Sequence, residues 1–92
     1  MNDEKRHFLL CRHLPARLTA LETSWYLGFS EQDVSVLVSH GLLKPVGDPS
    51  QSSTKYFALK DLKKSHEDTR WINRATAALN RFWRVKNDKR KK

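Results

Sequence analysis

His7, Cys11 and His13 stand in the order H-x3-C-x-H, and imidazole nitrogens with a thiolate are zinc ligands. A closed zinc site takes four ligands, and here the fourth would have to come from a distant part of the chain. The intervening Phe8-Leu9-Leu10 reads as packing, so no metal is expected. A second set of polar groups, Gln32, Ser35, Ser39 and His40, falls at helical spacing. A glutamine amide can bond adenine through two hydrogen bonds, and a serine hydroxyl accommodates several base edges. Val36, between them, could meet a thymine methyl or the apolar surface of a protein partner. A third set is cationic: Arg70, Arg74, Arg81 and Arg84, followed by "KNDKRKK" at 86–92, with Lys44 and Lys55 nearer the polar set. Guanidinium and ammonium groups neutralise phosphates without needing fine placement. There is no glycine-rich phosphate loop, nucleophile elbow or paired-carboxylate site. The chain is therefore not expected to be an enzyme, to carry a cofactor or to take a small-molecule substrate.

The charge distribution agrees with the third set. The chain has 92 residues and a formal net charge of +8. Residues 19–59 are net acidic, whereas residues 60–92 hold twelve basic and four acidic side chains, a net charge as large as that of the whole chain. Such a balance favours a polyanion, nucleic acid first and an anionic membrane surface second. No apolar run approaches the roughly 20 residues needed to span a bilayer, so a membrane protein is not expected. The acidic start and the short "FLLC" stretch do not make a secretory signal. A lone Cys11 rules out an internal disulfide and fits a reducing cytoplasm.

These side chains need elements to hold them. Thr19 and Glu22 form a capping-box pattern that predicts a short helix over 20–27, with Leu21, Trp25 and Leu27 or Tyr26 facing inward and Gly28 as its stop. Ser30 and Asp33 repeat the pattern and predict a second helix over 31–40. Its core face would be Val34, Leu37 and Val38, which leaves Val36 exposed. Residues 42–46 and 55–59 read as two extended pieces around the polar turn "GDPSQSST", a β-hairpin or wing. "KDLKK" (60–64) predicts a helical turn with Leu62 inward, and Ser65 with Asp68 predicts the cap of a long helix over 66–86. On that helix Trp71, Ile72, Ala75, Ala78, Leu79, Phe82, Trp83 and Val85 occupy an arc of roughly 160°, and the four arginines cluster within roughly 80° elsewhere.

Helix, tight turn, helix, "GLLKP", then an extended piece with an aromatic pair and "K-D-L": this order resembles the winged helix–turn–helix of the MerR-like and excisionase-like DNA-binding domains. The residues that carry it are Leu18-Thr19, Leu27-Gly28-Phe29-Ser30, Val34 and Leu37, Gly41-Leu42-Leu43-Lys44-Pro45, Lys55-Tyr56-Phe57 and Lys60-Asp61-Leu62, spanning about 18–64. The resemblance implies a mostly α fold with a small β-hairpin (α+β), here a winged helix–turn–helix with an added long C-terminal amphipathic helix. The winged unit it covers spans 18–64; the residues themselves add a segment over 1–17 packing on the core, the long helix over 65–87 and a disordered basic tail over 88–92. The resemblance implies double-stranded DNA as partner, in transcription control or as a recombination accessory factor. It also implies a homodimer through the long helix, whose aromatic face a small core would leave open unless Phe8, Leu9, Leu10 and Leu14 cover it. Members of the family commonly place Arg or Lys where this chain has Gln32, Ser35, Val36, Ser39 and His40. The hold on phosphates is therefore expected from Arg70, Arg74, Arg81 and Arg84 and from the tail. The runner-up expectation is a protein-interaction module on the same scaffold, using Val36 and the aromatic helix.

Overall fold

The computed structural model describes residues 3–50 and 53–90. Gln51 and Ser52 of the expected wing tip, and Lys91 and Lys92 of the tail, lie outside the described residues. The chain is mostly helical with one two-stranded antiparallel sheet, an α+β arrangement. Its elements run α1 (Asp3–Leu10), β1 (Arg17–Thr19), α2 (Ala20–Leu27), α3 (Glu31–Ser39), β2 (Tyr56–Ala58), α4 (Leu59–His66) and α5 (Thr69–Arg90).

Local chemistry fixes the α2–α3 pair. Thr19 Oγ1 accepts from the Glu22 amide at 3.1 Å while the Glu22 carboxylate accepts from the Thr19 amide at 3.0 Å. Ser30 and Asp33 exchange the same two bonds, each at 3.1 Å. These reciprocal caps satisfy amides that a helix N-terminus otherwise leaves bare. Gly28, at φ 84°, takes the left-handed conformation that ends α2, and its amide donates to the Ser24 carbonyl at 2.9 Å. Three residues, 28–30, thus turn the chain from one helix into the next.

The sheet differs from the expected hairpin in its partner strand. β2 pairs with β1, in the register Arg17↔Ala58, Leu18↔Phe57 and Thr19↔Tyr56, so the strand just before α2 closes the sheet. Residues 42–46 form no strand, and their link to β2 is the Val46 amide donating to the Tyr56 carbonyl at 2.9 Å. The pairing aims Leu18 and Phe57 into the core and leaves Arg17 outside, with its guanidinium 3.9 Å from the centre of the Tyr56 ring.

Leu18, Val34, Leu37, Phe57, Leu62 and Ala75 are almost wholly buried, joined by Leu43, Trp71 and Leu79. α2 contributes less apolar bulk than expected. Leu21 is exposed, and the buried positions of α2 are Thr23 and Ser24, small side chains that let the helix lie close to α3, α4 and the sheet. Ser24 Oγ donates to the Leu21 carbonyl, whereas Thr23 Oγ1 is buried and finds no hydrogen-bond partner among the described residues. An unsatisfied buried hydroxyl costs about 1–3 kcal/mol. Thr23→Val keeps the shape and removes that group, so it should leave the urea midpoint unchanged or raise it; a clear fall would show that water reaches the hydroxyl.

Three further expectations change. Phe8 is buried, but it meets Trp25 on α2 edge to face at 5.6 Å, while Leu9 and Leu10 are exposed; α1 therefore does not cover the aromatic face of the last helix. α4 continues through Ser65 to His66, with Leu62 inward, so Ser65 caps nothing. Asp68 caps α5 instead, its Oδ1 accepting from the amides of Arg70 at 3.0 Å and Trp71 at 3.3 Å. The helical backbone then runs on through Arg90, into the segment expected to be a disordered tail.

Candidate nucleic-acid interface

Helix α3 presents three faces. Val34, Leu37 and Val38 point into the core. Asp33, Val36 and His40 fall within roughly 60° of each other on a second face, and Gln32, Ser35 and Ser39 within roughly 60° on a third. The second face carries α5. Asp33 Oδ1 accepts from Trp83 Nε1 at 2.9 Å while Asp33 Oδ2 holds the Ser30 amide, so one carboxylate both caps α3 and anchors α5. Phe82 lies edge-on to the His40 ring at 6.3 Å and to Trp83 at 5.0 Å. At the other end of the packed face, Trp71 Nε1 donates to the Leu42 carbonyl at 2.9 Å and the ring meets Phe29.

This packing corrects the expectation for Val36. It is 8% exposed and lines a shallow cleft with Phe82 and Trp83, so neither a thymine methyl nor a partner protein meets it. The exposed Val36 read from the helical wheel assumed that nothing packs on the second face. His40 stays exposed, but its Nδ1 lies 2.9 Å from the Val36 carbonyl and must carry the proton there. The Val36 carbonyl also accepts from the Ser39 hydroxyl at 2.7 Å, so that hydroxyl oxygen can otherwise only accept, and His40 Nδ1 stands 3.3 Å from it.

The third face is open. Gln32, Ser35 and Ser39 are exposed, and among the described residues the side chains of Gln32 and Ser35 have no hydrogen-bond partner. Two lysines border this row. On one side Lys55 lines a cleft with Ser35, Ser39, Val34, Val38 and Phe57. On the other, Lys86 lines the cleft formed by Gln32, Ser35, Val36, Phe82 and Trp83. The Lys86 ammonium stands 5.2 Å from the Trp83 ring centre and 5.9 Å from that of Phe82, a cation over two aromatic faces. The sequence places Lys86 only in the cationic run at 86–92, with no role of its own. The signal was there, since a lysine four residues after Phe82 and three after Trp83 is spaced to reach both rings on a helix.

No match was found among family models, curated proteins or solved structures.

The remaining candidates lie elsewhere. Lys44 is exposed and lines a separate cleft with Asp61 and Ser65. Arg70, Arg74, Arg81 and Arg84 are all exposed, on the side of α5 opposite Trp71, Ala75 and Leu79. They do not join the Gln32–Ser35–Ser39 row. His7, Cys11 and His13 border a surface cleft, where Cys11 Sγ donates to the His7 carbonyl at 3.1 Å. Among the described residues, no three His, Cys, Asp or Glu side chains are placed to hold a metal ion. Tyr26 packs against His66 with ring centres 4.9 Å apart and planes tilted by 37°, and its burial, with the Glu67 carboxylate nearby, pushes the phenol above its usual value. Among the described residues no helix is long and apolar enough to cross a membrane.

Proposed function

We propose that this chain binds double-stranded DNA through the open face of α3, as a winged helix–turn–helix of the MerR-like and excisionase-like kind, in transcription control or as a recombination accessory factor. The observation that carries the reading is the row Gln32, Ser35, Ser39: exposed, uncharged, on a rigidly capped helix, with a lysine on either side. The major groove admits one α-helix, so the row meets base edges while Lys55 and Lys86 approach the phosphates on the two sides. Gln32 offers both a donor and an acceptor, Ser35 either, and Ser39 an acceptor. Adenine N6/N7 opposite Gln32 is the pairing this chemistry favours. Glu31, next to the row, disfavours phosphate and keeps the helix N-terminus from sitting on the backbone.

The protein-interaction reading is supported less well, because the Val36 and aromatic surface it would use packs against itself within the chain. The same packing weakens the motive for a dimer, since Trp71, Ala75 and Leu79 are already buried and only Ile72 and Val85 of the apolar arc of α5 stay exposed.

Selection from a pool of random duplexes, followed by titration across a salt series, tests the proposal. The wild type should enrich a site, and Gln32→Ala with Ser35→Ala should lose about 5- to 150-fold of its preference over a scrambled duplex, the range for one good base contact. Lys86→Gln should instead weaken both duplexes alike and lower the salt slope by about 1. No enriched site, or a site preference unchanged in the double variant, would defeat base reading by α3.

A further inference from the structure

We propose that α5 carries a second, separate duplex-binding surface, so that one chain can hold two segments of DNA. The inference rests on the reading above for the first duplex and adds the second. Arg70, Arg74, Arg81 and Arg84 are exposed and lie within roughly 80° around α5. From Arg70 to Arg84 the helix rises about 21 Å, the axial length of roughly six base pairs. Among the described residues none of the four guanidinium groups has an ion-pair partner, and Asp88 is the one carboxylate on α5.

The direction of this stripe makes it a different surface from the α3 row. α5 sits on the Asp33–Val36–His40 face of α3, roughly 100° around that helix from Gln32, Ser35 and Ser39. The stripe is on the far side of α5 again, opposite the Trp71–Ala75–Leu79 face. A straight duplex lying on the row is bordered by Lys86 from α5 but is turned away from the arginines.

The stripe is also unfavourable for the chain by itself. Arg70 and Arg74 are like charges at i and i+4, close to the helix N-terminus, where the backbone dipole disfavours cations. Arg81 and Arg84 repeat the repulsion at i and i+3. Phosphates relieve both conflicts, and arginine forks hold phosphate oxygens bidentately. An anionic membrane fits less well. A membrane-surface helix needs a broad free apolar face beside its cations, whereas on α5 Trp71, Ala75 and Leu79 are buried, Phe82 and Trp83 pack against the core, and only Ile72 and Val85 of the large apolar side chains stay exposed.

A capture assay decides. Protein is loaded on an immobilised duplex carrying the selected site, washed, and offered a second, labelled duplex or vesicles rich in phosphatidylserine. The wild type should capture the second duplex and not the vesicles, with capture falling roughly a hundredfold between 50 and 200 mM salt for about four phosphate contacts. The variant Arg70→Gln/Arg74→Gln/Arg81→Gln/Arg84→Gln should melt like the wild type and still bind the immobilised duplex, but lose capture by about tenfold or more. Undiminished capture by the variant, as a dimer with two α3 rows would give, overturns the second surface. So does loss of the immobilised duplex as well, which would make stripe and row one site, or capture of vesicles in place of DNA. Wild-type binding to one duplex without capture defeats this inference and leaves the first reading standing. No binding to any duplex at low salt defeats both.

Discussion

Phe57→Ala is expected to remove about 3–5 kcal/mol of stability, the largest effect of any single truncation in this chain. Phe57 is 1% exposed and stands opposite Leu18 in the two-stranded sheet. It borders both the α3 cleft, with Val34 and Val38, and the α4 cleft, with Leu43 and Leu62, so it separates the two helices. Its removal opens space that a two-stranded sheet of three residues per strand has little means to close. Domains of this size usually have about 5–15 kcal/mol in total, so the variant should sit near its unfolding threshold at 37 °C. Thermal melting followed by circular dichroism checks this: a fall of about 15–30 °C is expected. Phe57→Leu should lose much less, because it keeps most of the volume. A loss below 1 kcal/mol for the alanine variant would mean that the sheet is not the wedge of the core.

What the sequence discloses here follows from how far apart the deciding groups are. The caps of α2 and α3 are legible because Thr19–Glu22 and Ser30–Asp33 each settle their geometry within four residues. The same pattern at Ser65 and Asp68 misleads, since two candidate caps stand three residues apart and the choice is made by Leu62 packing into the core, which draws α4 on to His66. The partner of β2 is about forty residues away in β1, and nothing near β2 specifies it. Periodicity alone makes residues 42–46 an equally good strand. Helix α2 shows a different limit. A hydrophobic pattern selects Leu21 for the interior, but close approach of three neighbouring elements selects the small Thr23 and Ser24.

The candidate interface divides along the same line. Gln32, Ser35 and Ser39 could be named from the helical wheel, since exposure of that face depends on α3 alone. Val36 and Lys86 could not, because their surroundings depend on where α5 lies. The missing relation was the contact between Asp33 and Trp83, fifty residues apart. Once it is known, the cations that the proposed DNA reading needs beside α3 can be located: α5 places Lys86 on one side of the row, and Lys55, just before β2, stands on the other.

Asp33→Ala is expected to undo both functions of that carboxylate and so to weaken the fold and the interface together. Loss of the cap costs about 1 kcal/mol, and losing the indole's bond to its charged acceptor about 1.5–3 kcal/mol, for roughly 2.5–4 kcal/mol in all. Asp33→Asn separates the two parts. A carboxylate offers two acceptor oxygens, one to Ser30 and one to Trp83, whereas an amide offers one oxygen, so a single bond must go. A double-mutant cycle with Trp83→Phe isolates the indole bond: a coupling of about 1.5–3 kcal/mol is expected for a hydrogen bond to a charged group. Additive effects would show that α5 is held by Phe82, Leu79 and Trp71 alone. The consequence for DNA is specific to the geometry. With Trp83 released, Lys86 loses the ring that holds its ammonium beside Gln32, and Asp33→Ala should lower the salt slope of duplex binding by about 1, as Lys86→Gln does. Combining Asp33→Ala with Lys86→Gln should then lower it no further, because the same phosphate contact has been removed once by position and once by charge.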